Sequence, residues 1–446
     1  MNPHFPSPTR LPSRRSMLLA GLGTALSAPF LSACAGFDTS GAAAGSGTVS
    51  FLSTQFTPVE EKQRYEQVLK QSLRVPVAYN AVDPSVFAST VKTQTSAQNI
   101  RTSLLGGLHG ELAPLADSLE DVDSILADLA GRGFAKEILE LAKAGTSAAK
   151  YVPWMQATYV VAVNKKALEW LPSGVDVNNL SYEDYLAWAK AAKQGAGRPV
   201  FGMPAGPKGL HHRFYQGFLL PSFTGGQITT FRSPDAVEAW SYMQELWDNM
   251  VPASTNFDAM QEPLARGEVL VAWDHVARLI KAPADNPGEW LMVPSPKGPK
   301  GRGYMLIVAG LALPTGGTER ELAEQVIRGL SEPLTQVETL RQNAFFPTVQ
   351  TELPTDLAGA IALEAGAVRL QQRSEGALLA LPPVGLGAKE GEVSQIFKNV
   401  FQEVCLNKQD IQPALDRQAT ELNTIMKGLN VPCWAPDPVS AKCEVA

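Results

Sequence analysis

One stretch limits what this chain can fold into more than any other: Tyr151 to Lys166, YVPWMQATYVVAVNKK. Val160, Val161, Ala162 and Val163 form a continuous apolar run of β-favouring residues, which reads as a strand buried on both faces. Pro153 and Trp154, just before it, are expected at a turn. Asn164 is placed to cap a short helix through Trp170. Turn, buried strand and helix follow one another within 20 residues, so this strand is expected at the centre of the molecule.

The N-terminus reads differently. Arg10, Arg14 and Arg15 are basic, and residues 17–30 are apolar but too short to span a bilayer, as in an export signal. Residues 13–19, SRRSMLL, resemble a twin-arginine signal. Leu31-Ser32-Ala33-Cys34 resembles a bacterial lipobox, whose cysteine is acylated and becomes the first mature residue. The following Gly, Ala and Ser residues read as a flexible tether over 34–47, leaving 1–33 as the signal. Enough chain remains for two or three lobes, each with its own core. A net charge of −6 gives no basic footprint, so nucleic acid is not an expected partner.

From Thr48 onward, elements alternate. Residues 48–53 read as a strand, followed by Thr54-Gln55-Phe56 and a capping pattern at Thr57-Pro58-Val59-Glu60. Loops at the carboxyl ends of strands in open α/β sheets bind ligands, which makes Gln55 a candidate contact. A strand over 75–79, a helix over 86–97 and a third strand over 100–105 precede the loop Gly106-Gly107-Leu108-His109-Gly110-Glu111-Leu112. Its glycines permit a sharp turn and close approach to a ligand. Phosphate-loop and dinucleotide fingerprints are both missing, so no nucleotide is implied.

Past the central strand, Ser181 caps a helix, and the strand at 200–203 leads into Pro204-Ala205-Gly206-Pro207-Lys208-Gly209-Leu210-His211-His212-Arg213. Adjacent histidines diverge, and no acid or cysteine lies at ligand spacing, so the pair is read as hydrogen-bonding groups rather than a metal site. Trp240, Met243 and Trp247 form a core-facing helical stripe. Residues 263–275 read as a Gly-terminated helix feeding a buried strand that ends in Trp273-Asp274-His275. Trp273 and Asp274 point opposite ways on an ideal strand. A Pro/Gly loop, 293–304, then leads into an apolar strand over 305–313 containing Gly310.

Several of these segments carry a resemblance. Val152-Pro153-Trp154 with its strand and Asn164-Lys165, Gly267-Glu268-Val269 running to Trp273, Pro294-Ser295-Pro296-Lys297-Gly298, and the return loop at Asn343 to Pro347 together resemble the extracellular solute-binding proteins of ATP-driven (ABC) importers, in their carbohydrate-binding branch. Ala344 departs from that pattern, standing where the return loop usually has glycine. The resemblance implies an α/β, periplasmic-binding-protein-like fold: two α/β lobes of discontinuous segments joined by a hinge, with a ligand cleft between them. The implied first lobe is 48–157 with 309–352, and the second 158–308 with 353–446.

The implied function is capture of a sugar or oligosaccharide and its delivery to a membrane permease, by a monomer needing no cofactor and no metal. Trp154, Trp273 and Tyr304 are the expected stacking platforms. Gln55, His109, Glu111, His211, His212 and Asp274 are the expected hydrogen-bonding groups. The alternatives are another polar solute (a polyol phosphate, a polyamine or a peptide) or a secreted glycoside hydrolase using Glu111 and Asp274. No motif ties those two acids, and the chain is expected not to be an enzyme.

Besides Cys34, cysteines stand at 405, 433 and 443. An exported protein can keep one disulfide among three. Pairing of Cys433 with Cys443 closes a short loop and is favoured over Cys405 with Cys443, because shorter loops cost less to close. Export and acylation make a first prediction: intact-mass and peptide analysis of the mature protein should find Cys34 as a diacylglyceryl-modified N-terminus. An unmodified residue upstream of it would show that the lipobox is not used.

Overall fold

The computed structural model describes residues 47–357, 359–386, 389–429, 431–438 and 442–446. The export signal, the lipobox with Cys34 and all of the tether except Gly47 lie outside the described residues.

Each lobe is built on its own sheet. In chain order, β1 (Val49–Ser53), β2 (Val77–Ala81), β3 (Leu104–Leu108) and β4 (Val152–Ala157) run the same way and, with later strands, make the first sheet. The second sheet takes β5 (Tyr159–Asn164), β6 (Phe201–Gly202), β7 (Val271–His275) and β8 (Trp290–Val293), in the spatial order β6-β7-β5-β8. After β9 (Arg302–Met305), the chain returns to the first sheet through β10 (Ile307–Ala312) and β11 (Phe346–Pro347). The first sheet then has the order β11-β4-β10-β3-β1-β2. β9 pairs in parallel with β12 (Ala377–Ala380) as a separate two-stranded sheet.

β5 is the expected central strand, and all six of its residues are buried. Successive side chains enter different cores, as strand geometry requires. Tyr159, Val161 and Val163 join the large second-lobe core with Trp188, Phe201 and Trp240. Val160 and Ala162 join Met260, Leu264 and Trp290 on the other face. The Asn164 side chain accepts the Lys166 N–H and so caps the turn that follows.

Three expectations change. The helix after β1 begins at Val59 with Pro58 as its N-cap and no side-chain capping bond, so Thr57 does not cap it. Pro153 and Trp154 are part of β4 rather than a turn, and the ladder with β10 slips one residue there, with Ala309 opposite Met155 and Gly310 opposite Pro153. Proline has no N–H for the ladder, and an irregularity absorbs the missing bond. Gly310 is required at that point because a Cβ would run into the Tyr151 ring. The third strand is also displaced, to Leu104–Leu108, so Gly106 and Gly107 are strand rather than loop. The space a Cβ at Gly106 would need is filled by the Phe51 and Trp154 rings, 2.7 and 3.0 Å away.

The first sheet is joined to the second, and to the β9–β12 pair, through single residues. Only Thr158 separates β4 from β5, and only Leu306 separates β9 from β10. Thr158 Oγ1 donates to the Met305 carbonyl at 2.6 Å, which ties one crossing to the other. Gln371, from the helix Gly359–Gln372, donates to the Tyr159 carbonyl at 3.0 Å and to Thr158 Oγ1 at 3.3 Å, and accepts Ser295 N–H at 2.9 Å. Thr158, Ser295 and Gln371 are all buried.

Cys433 and Cys443 are joined by a disulfide, and Cys405 is a buried free thiol. Among the described residues no helix is long and apolar enough to cross a membrane.

Glu364, on the same helix as Gln371, is completely buried, and neither carboxylate oxygen has a hydrogen-bond partner among the described residues. Burial pushes its carboxyl well above the usual carboxylate range. The folded protein therefore holds a proton that the unfolded chain releases above about pH 4.3. Stability from this site is greatest below that pH and is lost as pH rises toward the folded-state pKa. Glu364→Met should accordingly stabilise the protein by ~1–3 kcal/mol at pH 8, with a smaller gain at pH 5. Chemical denaturation at the two pH values checks both the sign and the trend.

Candidate functional site

Strand direction decides where the loops meet. β1, β3 and β4 all end toward the crossings, and in the second sheet β7 ends where β5 begins, with Tyr159 opposite His275. The carboxyl-end loops of both sheets thus border one cleft, where open α/β sheets hold ligands. A cavity of about 490 Å³ lies there. Leu108, His109, Gly110, Glu111 and Pro114 line it from the first lobe, and Ile307 and Val308 from the second crossing. The second lobe supplies His212, Arg213, Pro382 and one face of the helix Glu390–Phe401, through Glu390, Gly391, Ser394, Gln395 and Lys398.

Glu111 sits in a turn that the end of β3 starts. Its Oε2 accepts the Leu108 N–H at 2.8 Å and the Thr54 hydroxyl at 2.5 Å, so the loops after β3 and β1 are bonded to each other. Gln55 adds to the chain by donating to Thr54 Oγ1 at 2.7 Å, while its carbonyl accepts the Tyr79 hydroxyl at 2.6 Å. Burial raises the Glu111 carboxyl above its ordinary range, against the pull of these donors, and nearby Glu390 adds to the rise. His109 is buried, with Nδ1 at 3.0 Å from the Tyr151 hydroxyl; burial lowers its pKa, so the ring is neutral at pH 7.

Arg213 and Glu390 pair across the second-lobe wall at 2.8 Å, their side chains 14% and 16% exposed. The Glu390 carboxylate also lies directly on Gly110, where any Cβ would collide with it. This is a contact between the lobes. His212 is buried on the same wall, its pKa forced well below the usual range first by burial and then by Arg213 and Lys398. Lys398 is half-buried, and burial lowers its pKa as well.

His109, Glu111 and His212 are therefore brought together at the cavity, and the other candidates are not. Trp154, expected as a platform, is a first-lobe core residue, 1% exposed and enclosed by Phe51, Phe56 and Tyr65 at ring separations of 5.5–6.1 Å. Trp273 stacks on Tyr159 at 4.6 Å, with Phe214 and Phe218 edge-on, so its faces are spent inside the second lobe. Tyr304 is half-buried in β9, opposite Leu379 of β12. Asp274 is fully buried, accepting Met260 N–H at 2.8 Å and His275 N–H at 2.7 Å, and burial raises it to about 6. His211 turns away from the cavity onto Phe401 and Tyr215, with Nδ1 3.2 Å from the Pro204 carbonyl and its pKa lowered to about 4, chiefly by burial. Gln55 acts one step back, through Thr54.

The residues that sequence reasoning passed over are Arg213, Glu390, Ser394 and Lys398. A signal existed: Glu390, Ser394 and Lys398 repeat every four residues along the flank of the apolar stripe of Val393, Ile396, Phe397 and Val400.

A family model described as bacterial extracellular solute-binding protein matches residues 70–333, more than half of the chain, and the chain belongs to that family. No curated protein matches the sequence. Among solved structures it is similar to maltose-bound MalE3 of T. maritima, with a TM-score of 0.66 at 19% identity over 85% of this chain and 99% of that one. It is likewise similar to the sugar-binding protein MalE of the phytopathogen Xanthomonas citri, at 0.69 and 16% over 85% and 98%. UgpB of Mycobacterium tuberculosis, in complex with glycerophosphocholine, gives 0.65 and 15% over 86% and 100%. At such identities the likeness is one of fold.

The shielded Arg213–Glu390 pair should be coupled more strongly than a surface ion pair. A double-mutant cycle with Arg213→Met and Glu390→Met is expected to give a coupling of ~1–2 kcal/mol in denaturation, between exposed and buried pairs. A value near zero would mean that the contact contributes nothing to the wall.

Proposed function

We propose that this protein is the substrate-binding component of an ABC importer, capturing a sugar or oligosaccharide between its lobes and presenting it to the membrane permease. The lobes are taken as 48–157 with 309–352 and 158–308 with 353–446, a division supported by the membership of the two sheets. The observation that carries the reading is the cavity itself, placed where the carboxyl-end loops of both sheets converge. Its volume lies inside the ~300–1,000 Å³ range of small-molecule sites. Glu111, with both described hydrogen bonds ending on Oε2, keeps Oε1 for a ligand hydroxyl. Family membership and the maltose and sugar complexes among similar structures support the same class of solute.

In this reading the protein works outside the cytoplasm as a monomer, held to the membrane by lipid on Cys34. It binds rather than cleaves, because Asp274, the acid expected to oppose Glu111 in a hydrolase, is enclosed behind backbone donors away from the cavity. A thermal-shift panel of sugars, polyols, polyamines and peptides, followed by calorimetry, tests it. A sugar should give the largest shift without turnover, and Glu111→Gln should weaken its binding by roughly tenfold, the loss of one charge-assisted hydrogen bond. A peptide or polyamine as the best ligand would overturn the sugar assignment.

A further inference from the structure

The cavity has two features that a site for a neutral sugar does not require. Among the described residues no tryptophan, tyrosine or phenylalanine lines it, so they offer no flat apolar face on which a neutral sugar ring would stack. The second-lobe wall also carries a cation without an acid. Arg213 is neutralised by Glu390 at 2.8 Å. Lys398 is not: its described hydrogen bond, 3.3 Å to the Pro207 carbonyl, is to a neutral group, and no carboxylate lies within ion-pair distance among the described residues. Asp258, the acid that acts on it from farther off, is engaged by the Lys208 N–H at 2.8 Å. A half-buried ammonium facing a cavity, held without a counter-charge, is a poor structural element and a good anion receptor.

Resting on the sugar reading above, we infer that the solute is a sugar acid, whose carboxylate is received by Lys398 while a hydroxyl donates to Glu111 across the cleft. The way these charges pair favours one negative charge on the ligand. Arg213 and Lys398 balance Glu111 and Glu390 in the cavity as a whole, but the local pairing does not: Arg213 is spent on Glu390, and Glu111 is held on the opposite lobe by the Thr54 hydroxyl and the Leu108 N–H, which leaves Lys398 to meet one carboxylate. A phosphate dianion would bring a second charge with no cation left to meet it. Gln395 and Ser394, beside Lys398 on the helix, offer the neutral donors and acceptors a ring hydroxyl needs.

Calorimetry with matched pairs tests this on the full mature protein: glucuronate against glucose, galacturonate against galactose, and gluconate and glucose 6-phosphate beside them. At least one acid should bind about tenfold or more tightly than its neutral partner, the worth of a charge-assisted hydrogen bond. In Lys398→Gln that preference should vanish, while Lys398→Arg keeps most of it. Neutral partners that bind as tightly as the acids, a preference that survives in Lys398→Gln, or glucose 6-phosphate as the tightest ligand would each overturn the inference. The wild-type comparison decides it even where a variant does not fold. Failure of every sugar, neutral and acidic, with a clear shift from a peptide or polyamine, would instead bring down the sugar reading beneath it.

Discussion

The arrangement of the whole molecule depends on the hydrogen bond from Thr158 to the Met305 carbonyl and on Gln371, which grips the same place. Two crossings of one residue each leave the chain little room to adjust, and both are bonded to each other at 2.6 Å inside a dry region. Such bonds are stronger away from water, and their loss would leave buried polar groups unmatched. Gln371 uses both ends of its amide there, accepting from Ser295 and donating to Tyr159 and Thr158. A hinge needs few residues that move and firm anchors on either side. This clamp makes the anchors, and it sets the direction in which both sheets present their loops.

From that direction the cavity follows. The loops after β1 and β3 are bonded together through Thr54 and Glu111 before any second-lobe residue is involved. The opposing wall is organised in its turn by the Arg213–Glu390 pair. Each wall is thus rigid by itself, and the walls touch where the Glu390 carboxylate rests on Gly110. Burial works in one sense on both histidines that line the cavity: His109 and His212 have lowered pKa values, so the positive charge there at neutral pH comes from Arg213 and Lys398.

Much of the fold was legible in the sequence because it is written in local patterns. The run Val160 to Val163 could hardly be anything but a strand covered on both sides, and Asn164 and Ser181 carry their capping roles on their own side chains. Ala344, standing where the return loop usually has glycine, adopts that left-handed conformation at φ 60°. What was not legible depended on distant partners. Gly106 looked like a loop residue, but it is a strand residue made necessary by the Phe51 and Trp154 rings. Trp154 and Trp273 looked like ligand platforms, yet their ring faces are occupied by Tyr65 and Tyr159 from the cores of their own lobes. A large aromatic has more apolar surface to bury than a cleft rim can cover, so core packing wins when core space is at hand. The polar stripe from Glu390 to Lys398 was missed for the converse reason: charged residues on a helix usually face water, and only the long-range fold turns these toward a cavity.

The C-terminal tail extends this dependence on distant contacts to the cavity wall. Asp437, almost fully buried, accepts the consecutive backbone N–H groups of Gln227, Ile228 and Thr229 at 2.7–3.2 Å. A carboxylate met by three backbone donors is strongly held. Gln227 answers with its side-chain amide, donating to the Leu381 and Ala435 carbonyls at 3.0 Å, while Leu381 N–H donates to the Ala435 carbonyl at 2.9 Å. Leu381 immediately precedes Pro382, which lines the cavity. The disulfide between Cys433 and Cys443 closes the segment that carries both Ala435 and Asp437, and so limits the freedom of the tail that braces this wall. A pairing that is local along the chain therefore bears on a cleft residue some 50 positions before it, and only folded geometry connects the two.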